Sequence, residues 1–452
     1  MSPWIVTLLT NVWVPIALLL IALVGRRYEN ADWPGAYIMH IVMLVGINII
    51  LAVSLQLING VSGQFSLGHA GFMALGAYLA GYAIKTFAAV SADADDPASD
   101  YFNPAATLLF FIALLIAVAL AAAVIFGIFL LIRQSRRLHP SLPGVLLVAL
   151  LAWFLADIAK GMEPGDAPKY CIFTRLIGGD HALFDSIIAH GTSRAGKWSD
   201  ALPVGARKPT TLLISLIGGG AMAAVAGLIV GLPTLRLRGD YLAIATLGFG
   251  EIIRIAIVNS PPLGGATGLQ APTYAIKPDI EEGIRGYYIA PWIYGAVLLT
   301  ILLIWRLARS TRGRAIRAVR EDEIAAAATG ISTTHQKVTA FVFGAFFAGV
   351  AGALYVNLDG YLNTASFGFM RSIEIVVMVT LGGLGSIWGA AIAAVILTIL
   401  PEVLRNVSPA VSEWRMVIYS LLLIGLMLMR SGWWRRAPLI RAIPFIGVTR
   451  AA

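Results

Sequence analysis

Residues Arg312 to Ile331 read RGRAIRAVREDEIAAAATGI. With Arg306 and Arg309 just before it, the run Arg312, Arg314, Arg317, Arg320 makes this the most basic stretch of the chain. Lys and Arg mark the cytoplasmic loops of membrane proteins, so the segment is expected in the cytoplasm. Glu321, Asp322 and Glu323 follow, and acidic residues suit a first helical turn, where the macrodipole is positive. Ala325 to Ala328 are the best helix formers. Gly330 suits a C-cap with positive φ. The pattern predicts a short helix over 320–329. Ile324, Ala327, Ala328 and Ile331 fall on one side of it, and Glu321, Asp322 and Ala325 on the others. So short a helix is not stable alone in water. It is expected to lie on the membrane surface or against a partner protein.

The surrounding sequence decides the class. Of 452 residues, 58% are hydrophobic and only 13% charged, against about 25% charged in a soluble domain. Apolar runs of about 18 or more residues are long enough to span a bilayer. The expected fold is all-α: a polytopic transmembrane bundle of about ten spans with broken or re-entrant helices, forming a single domain over 1–452. Candidate spans are 4–25, 36–58, 66–90, 105–132, 143–160, 211–232, 240–258, 291–308, 336–357, 372–404 (broken) and 414–430. The N-terminal run lacks a basic n-region and ends in Arg26-Arg27 instead of a cleavage site, so it is expected to be a retained span.

The net charge is +9. The basic residues cluster at Arg26-Arg27, Arg133–Arg137, Arg236–Arg238, Arg306–Arg320 and Arg430–Arg441, each beside an apolar run. That is a topology signal and an attraction to anionic membrane lipids, not a nucleic-acid surface. It puts the loop 306–335 and the C-terminal tail in the cytoplasm. Parity fails between Arg26-Arg27 and Arg133, which leaves the N-terminal orientation open, with a re-entrant break at 59–68 as one solution. The single cysteine, Cys171, excludes an internal disulfide and a cysteine metal cluster. Residues 161–210 form a polar connection expected outside the cytoplasm. Within it, GTSRAGKW (Gly191–Trp198) falls one residue short of a P-loop, because Trp198 stands where a hydroxyl should hold Mg²⁺. No nucleotide site and no catalytic constellation are visible, so the chain is read as a non-enzyme that binds no cofactor itself.

Two glycine-rich stretches interrupt spanning material: NGVSGQFSLGHAGFMALGAY (Asn59–Tyr78) and LGGLGSIWG (Leu381–Gly389). Irregular backbone at membrane depth must be buried in protein or line a cavity, and interrupted helices point to a substrate path. Gln56, Asn59, Ser62, Gln64, Ser66 and His69 gather at the first break, and Gly382, Gly383 and Gly385 at the second. Close helix packing is the competing reading, since Ala70/Ala74 and Ala77/Gly81 have small-xxx-small spacing. His69 alone reads as a structural histidine, not a metal ligand. Glu251/Arg254 and Arg371/Glu374 stand i, i+3 and can pair. They lie near span ends, which favours interfacial anchoring.

The segment 312–331 resembles the cytoplasmic coupling loop of ABC-importer permeases, whose signature is Glu-Ala-Ala, three residues, Gly. Gly330 and Ala325-Ala326 match, while Ile324 holds the glutamate's place and Glu323 sits one residue early. GQFSLGHAGFMALGAY, LPTLRLRGDYLAIATLGFGEIIR, GRAIRAVREDEIAAAATGI and SIEIVVMVTLGGLGSIWG resemble, in this order, the permeases of branched-chain amino acid uptake systems, in the longer of the two paired variants. The likeness covers about 36–90 and 211–430. The region 133–210 departs from it. The resemblance implies a permease subunit of an ATP-driven importer in the inner membrane. Its partners would be two cytoplasmic ATP-binding subunits, which hold ATP and Mg, a homologous second permease and an external solute-binding protein. It implies coupling to the ATPase through Arg320, Glu321, Asp322, Glu323, Ala325, Ala326, Ala327 and Gly330. A related system carrying urea or short amides stays open, and so does a stand-alone ion-coupled transporter. Few deep carboxylates and no obvious inverted repeat speak against the latter.

Overall fold

A computed structural model describes residues 35–85, 107–112, 114–115, 204–234, 239–271, 289–407, 420–421 and 424–425. The expected spans 4–25 and 143–160, most of 105–132 and 414–430, most of the 161–210 connection, Cys171, Gly191–Trp198 and the basic clusters outside 306–320 lie outside these residues.

The described elements are almost all helical. Helix α1 (Gly35–Leu55) runs into a π-helical turn, Gln56–Val61. Helix α2 (His69–Ala83) follows, then α3 (Val204–Thr234), α4 (Asp240–Val258) and α5 (Ala290–Arg309). Two short helices come next, α6 (Thr311–Glu321) and α7 (Glu323–Ala328), then α8 (Thr333–Asp359), α9 (Phe369–Gly382) and α10 (Ile387–Val407). Strands β1 (Leu269–Gln270) and β2 (Tyr361–Leu362) pair antiparallel, Leu269 opposite Leu362.

Among the described residues, five stretches are long and apolar enough to cross a membrane: Tyr37–Val61, Pro209–Leu232, Tyr241–Val258, Ala290–Arg309 and Thr333–Asp359. They coincide with five of the expected spans. The broken span expected over 372–404 is the pair α9 and α10, parted at Gly383–Ser386. The span expected from residue 66 is corrected in its first part, because the helix starts only at His69 and residues 63–68 are non-helical.

Helix α8 is the centre of the bundle and packs against α1, α2 and α3. Small residues allow this. A Cβ on Gly76 of α2 would stand 2.7 Å from the carbonyl carbon of Gly349 in α8. Phe72 and Phe341 meet edge to face at 5.6 Å in the same layer. Close backbone approach gains dispersion contact where lipid removes the hydrophobic drive between helices. Apolar residues such as Ile217, Ile229, Ile244, Ile252 and Leu299 are exposed on the outer faces, as expected of surfaces bathed in lipid.

Chain direction places one group of ends together. Helices α1, α5 and α9 end where α8 and α10 begin, and α6–α7 lie there. The β1–β2 ribbon and the His40–Asp359 contact of 3.5 Å mark the other end.

Candidate functional site

The first helix break has a specific backbone problem. After Val61 the chain turns at Gly63 (φ 71°) and runs unwound to Gly68, among other helices. Ser62 N still donates to Leu57 O and Gln64 N to Ile58 O, both at 3.1 Å, but the amides beyond them have left the helix, and buried ones must find other partners. Three side chains from three elements supply them. Asn59 Oδ1 accepts from Ser66 N at 3.1 Å, Thr246 Oγ1 of α4 from Leu67 N at 3.1 Å, and Ser372 Oγ of α9 from Ala70 N at 3.2 Å. Ser62 Oγ turns back to the Ile58 carbonyl at 2.8 Å. His69 Nε2 lies 2.8 Å from Ser54 Oγ. Much of the polarity at this break therefore serves the backbone.

Not all of it does. Gln56, Asn59, Ser62, Gln64, Ser66 and His69 are each at most 6% exposed. Yet Gln56 Oε1, Asn59 Nδ2, both amide atoms of Gln64, Ser66 Oγ and His69 Nδ1 have no hydrogen-bond partner among the described residues. A buried polar atom without a partner costs about 1–3 kcal/mol. Gln64 and Ser66 stand two residues apart on an unwound stretch whose neighbours Gly63 and Phe65 face outward, so their side chains share the inner face.

The second break meets the first. Gln56 Nε2 donates to the Gly383 carbonyl at 2.7 Å, and a Cβ on Gly60 would stand 2.6 Å from Gly385 N. Gly383 (φ 99°) and Gly385 (φ 92°) both adopt left-handed backbone, so the tip turns away from helix without strain. Gly382 instead packs on the backbone of Gly389 and Ala390, holding α9 to α10.

Arg320, at the end of α6, joins the two breaks. Its Nη1 donates to the Gly60 carbonyl at 2.6 Å. A Cβ on Gly63 would stand 2.6 Å from Arg320 Cγ, and one on Gly385 3.6 Å from Arg320 Nη1. The physical reason is helix ends. The π-turn and α9 both finish here with carbonyls that lack intrahelical donors, and a cation is favoured at such ends. Arg320, which the resemblance puts among the coupling residues, turns its guanidinium inward onto Gly60, although its side chain remains 36% exposed.

The segment beyond Arg320 corrects the single helix expected over 320–329. There are two helices with a break at Asp322, whose backbone is extended (φ −152°, ψ 112°). Asp322 Oδ1 accepts from Ile324 N at 2.8 Å and Ala325 N at 3.1 Å, so it caps a new helix instead of sitting in the first turn of a longer one. The far end is a Schellman motif: Gly330 N donates to Ala327 O at 3.0 Å and Ile331 N to Ala326 O at 3.1 Å, with Gly330 at φ 84°. Lys337 Nζ contacts Glu323 Oε1 at 2.8 Å. Ala326 packs against the chain's own body at 5% exposure, while Ala325, Ala327 and Ala328 are exposed and Ile324 stands out at 74%. At the other corner, Ser310 caps α6 by accepting from Gly313 N at 3.1 Å.

Both suspected ion pairs form. Arg254 Nε meets Glu251 Oε2 at 2.7 Å, and Arg371 Nη1 meets Glu374 Oε2 at 2.9 Å. Arg371 also reaches Asn48 Oδ1 of α1 at 2.7 Å, which ties α9 to α1.

Residues 37–174 and 182–427 match the family described as "Branched-chain amino acid transport system / permease component". The chain belongs to this permease family. Among its relatives, the high-affinity branched-chain amino acid transport system permease protein LivM of Salmonella typhimurium is 36% identical over 241 residues, 48% of this chain and 54% of that protein. The probable LivM of Methanocaldococcus jannaschii is 27% identical over 244 residues, 52% of this chain and 70% of that protein. The corresponding LivH permease of Escherichia coli is 36% identical over 141 residues, 31% of this chain and 45% of that protein. The permease thus spans about half the length of the Salmonella LivM it matches. No solved structure matches it. Family and apolar helices together make it a multi-pass membrane protein.

The permease brings together residues that the sequence separates by more than 250 positions: Gln56 with Gly383, and Arg320 with Gly60 and Gly63. Sequence reasoning named Gln56, Arg320, Gly383 and Gly385 without linking them. It missed Gly60, Gly63, Thr246, Ser372 and Lys337. The glycines stood inside a quoted motif, and only their partner on α6 shows why they are there.

Proposed function

We propose that the chain is the transmembrane permease subunit of an ATP-driven importer, moving branched-chain or related small amino acids across the inner (cytoplasmic) membrane. The observation that carries this reading is the family match over most of the chain. Likeness to both LivM and LivH proteins supports a homologous second permease beside it. The other partners would be two ATP-binding subunits, which would hold ATP and Mg, and an extracytoplasmic solute-binding protein.

The end bearing Arg306 to Arg320 would face the cytoplasm, as its basic charge suggests, with 306–335 as the coupling loop. Helix α7 suits docking on an ATPase. Its exposed Ile324, Ala325 and Ala327 offer a small apolar knob, and Glu321, Asp322 and Glu323 give it orientation. The β1–β2 end would then face the binding protein, on the same side as 161–210. The substrate path would pass the two breaks, with Gln64 and Ser66 as its best-motivated polar groups. Gln56, Asn59, Ser62 and His69 would shape the wall, and Gly383 and Gly385 the opposite side.

Purification in mild detergent tests the class. Two ATP-binding subunits and a second permease are expected to copurify with the chain. A chain that purifies alone, and transports alone under an ion gradient, would remove the reading. Glu323→Lys tests the loop. It replaces the 2.8 Å contact with Lys337 by two like charges at the start of α7. Uptake per ATP hydrolysed is expected to fall about tenfold, with membrane levels unchanged. Unaltered stoichiometry would show that α7 does not carry the coupling.

A further inference from the structure

The coupling segment and the polar break are tied by one side chain, and the break holds groups that the rest of the fold leaves unpaired. Arg320 is the last basic residue of α6, two residues before the Asp322 cap that starts the exposed helix α7. Movement of α7 therefore reaches Arg320 most directly through the two-residue link Glu321–Asp322. On the other side, its stem lies over Gly63 and its Nη1 holds the Gly60 carbonyl at 2.6 Å. Gly60 to Gly63 is the turn from which the unwound stretch Gln64–Gly68 departs. That stretch carries Gln64 and Ser66, both at most 4% exposed, with unpartnered side-chain atoms.

We propose that Arg320 is a positioning residue that keeps the unwound stretch 62–68 closed, so that displacing α7 releases the Gly60 carbonyl and opens Gln64 and Ser66 to water and to a small polar or zwitterionic solute. This rests on the reading of α7 as the ATPase-facing helix, but the closed state itself does not. The chemistry is consistent at each step. A guanidinium on a carbonyl is a charge-assisted bond, stronger than a neutral one. At a helix C-terminus it also meets the negative end of the macrodipole. Losing it leaves the Gly60 carbonyl without that donor, and water entering beside the part-exposed arginine can take its place without tying the turn to α6. The groups behind the turn favour its opening, because Gln64 and Ser66 gain hydrogen bonds when hydrated. The bond therefore holds shut a stretch whose own polar atoms favour the open form. Gly63 is part of the same device. At φ 71°, with the arginine stem over it, any side chain both strains the turn and pushes Arg320 away.

The test uses the full-length permease in membrane vesicles with Cys171→Ser and a reporter, Gln64→Cys, labelled by a membrane-impermeant maleimide offered from either side. With Arg320 intact, labelling is expected to be slow. Arg320→Gln and, separately, Gly63→Ala are expected to speed it about tenfold or more, the scale for loss of one charge-assisted hydrogen bond. Arg320→Lys retains stem and donor and is expected to restore slow labelling, whereas Arg320→Met retains the stem without a donor and is expected to label as fast as Arg320→Gln; slow labelling in Arg320→Met would reduce the arginine to a structural stem. Unchanged rates in both Arg320→Gln and Gly63→Ala would overturn the proposal, and so would fast labelling with Arg320 intact. Should Arg320→Gln fail to reach the membrane, Gly63→Ala and Arg320→Lys decide. The readout needs no ATP, no amino acid and no partner. A failed labelling result therefore removes the gate, whereas absence of copurifying ATP-binding subunits removes the importer reading.

Discussion

Gly349→Leu is expected to abolish the folded permease. Gly349 lies where α8 crosses both α2 and α3. A Cβ there would stand 2.5 Å from Ala223 Cβ, 2.6 Å from the Gly219 carbonyl oxygen and 3.0 Å from Gly220 Cα. Most of these are backbone atoms of a helix, which cannot rotate aside as a side chain can. Overpacking a core with flexible neighbours costs about 1–3 kcal/mol. Forcing α8 from α3 parts the most extensive helix–helix contact among the described residues and should exceed that range. The expected outcome is loss of monodisperse protein in detergent, measured by size-exclusion chromatography of a fluorescent fusion. Gly248→Leu and Gly295→Leu are the controls, because none of the described residues lies within 4 Å of a Cβ at either position. Both are expected to behave as the parent protein. A monodisperse Gly349→Leu would show that the α2–α3–α8 crossing is wrongly drawn.

Gly330→Val is expected to fold and to uncouple. No atom lies within 4 Å of a Cβ at Gly330, so space is not the constraint. The constraint is φ 84° in the Schellman motif. A left-handed residue with a Cβ costs about 1–2 kcal/mol, and a β-branched one is the worst case. The valine would release the last turn of α7 and move Ile324 relative to Arg320. Uptake per ATP hydrolysed is expected to fall about tenfold, within the usual range of coupling energies. Gly330→Asn supplies similar bulk but tolerates the left-handed region, and is expected to stay near parental coupling. Equal loss with valine and asparagine would make Gly330 a contact surface instead of a backbone device.

The sequence made some of this legible for physical reasons. Long apolar runs have one solution in a bilayer, so the spans at 36–58, 211–232, 240–258, 291–308 and 336–357 could be placed closely. Gly330 was legible because an alanine run ending in glycine is a local signal. Asp322 was not, because an acidic residue suits both an N-cap and a first turn. The choice between them depends on where Arg320 is pulled. The same limit applies at the breaks. The polarity of Asn59–His69 was visible, but the backbone amides it satisfies belong to a path that only the fold draws. Thr246 and Ser372 carry no local signal at all, since each is one hydroxyl in an apolar helix. Small-residue spacing pointed to Ala70/Ala74 and Ala77/Gly81. Ala77 does meet α8, at Gly352, but the equally close approaches at Gly76 and Gly349 follow from crossing geometry and not from spacing within one helix.

The central claim, that this permease works as one part of an ATP-driven amino acid importer, is tested most directly by leucine uptake into proteoliposomes. These would hold the chain, its homologous permease and two ATP-binding subunits, with the solute-binding protein supplied at the outer face and ATP at the coupling-loop face. The account predicts accumulation of labelled leucine that requires ATP and every component, and that unlabelled leucine but not urea competes away. Accumulation by the chain alone under an ion gradient, with no ATP present, would contradict it.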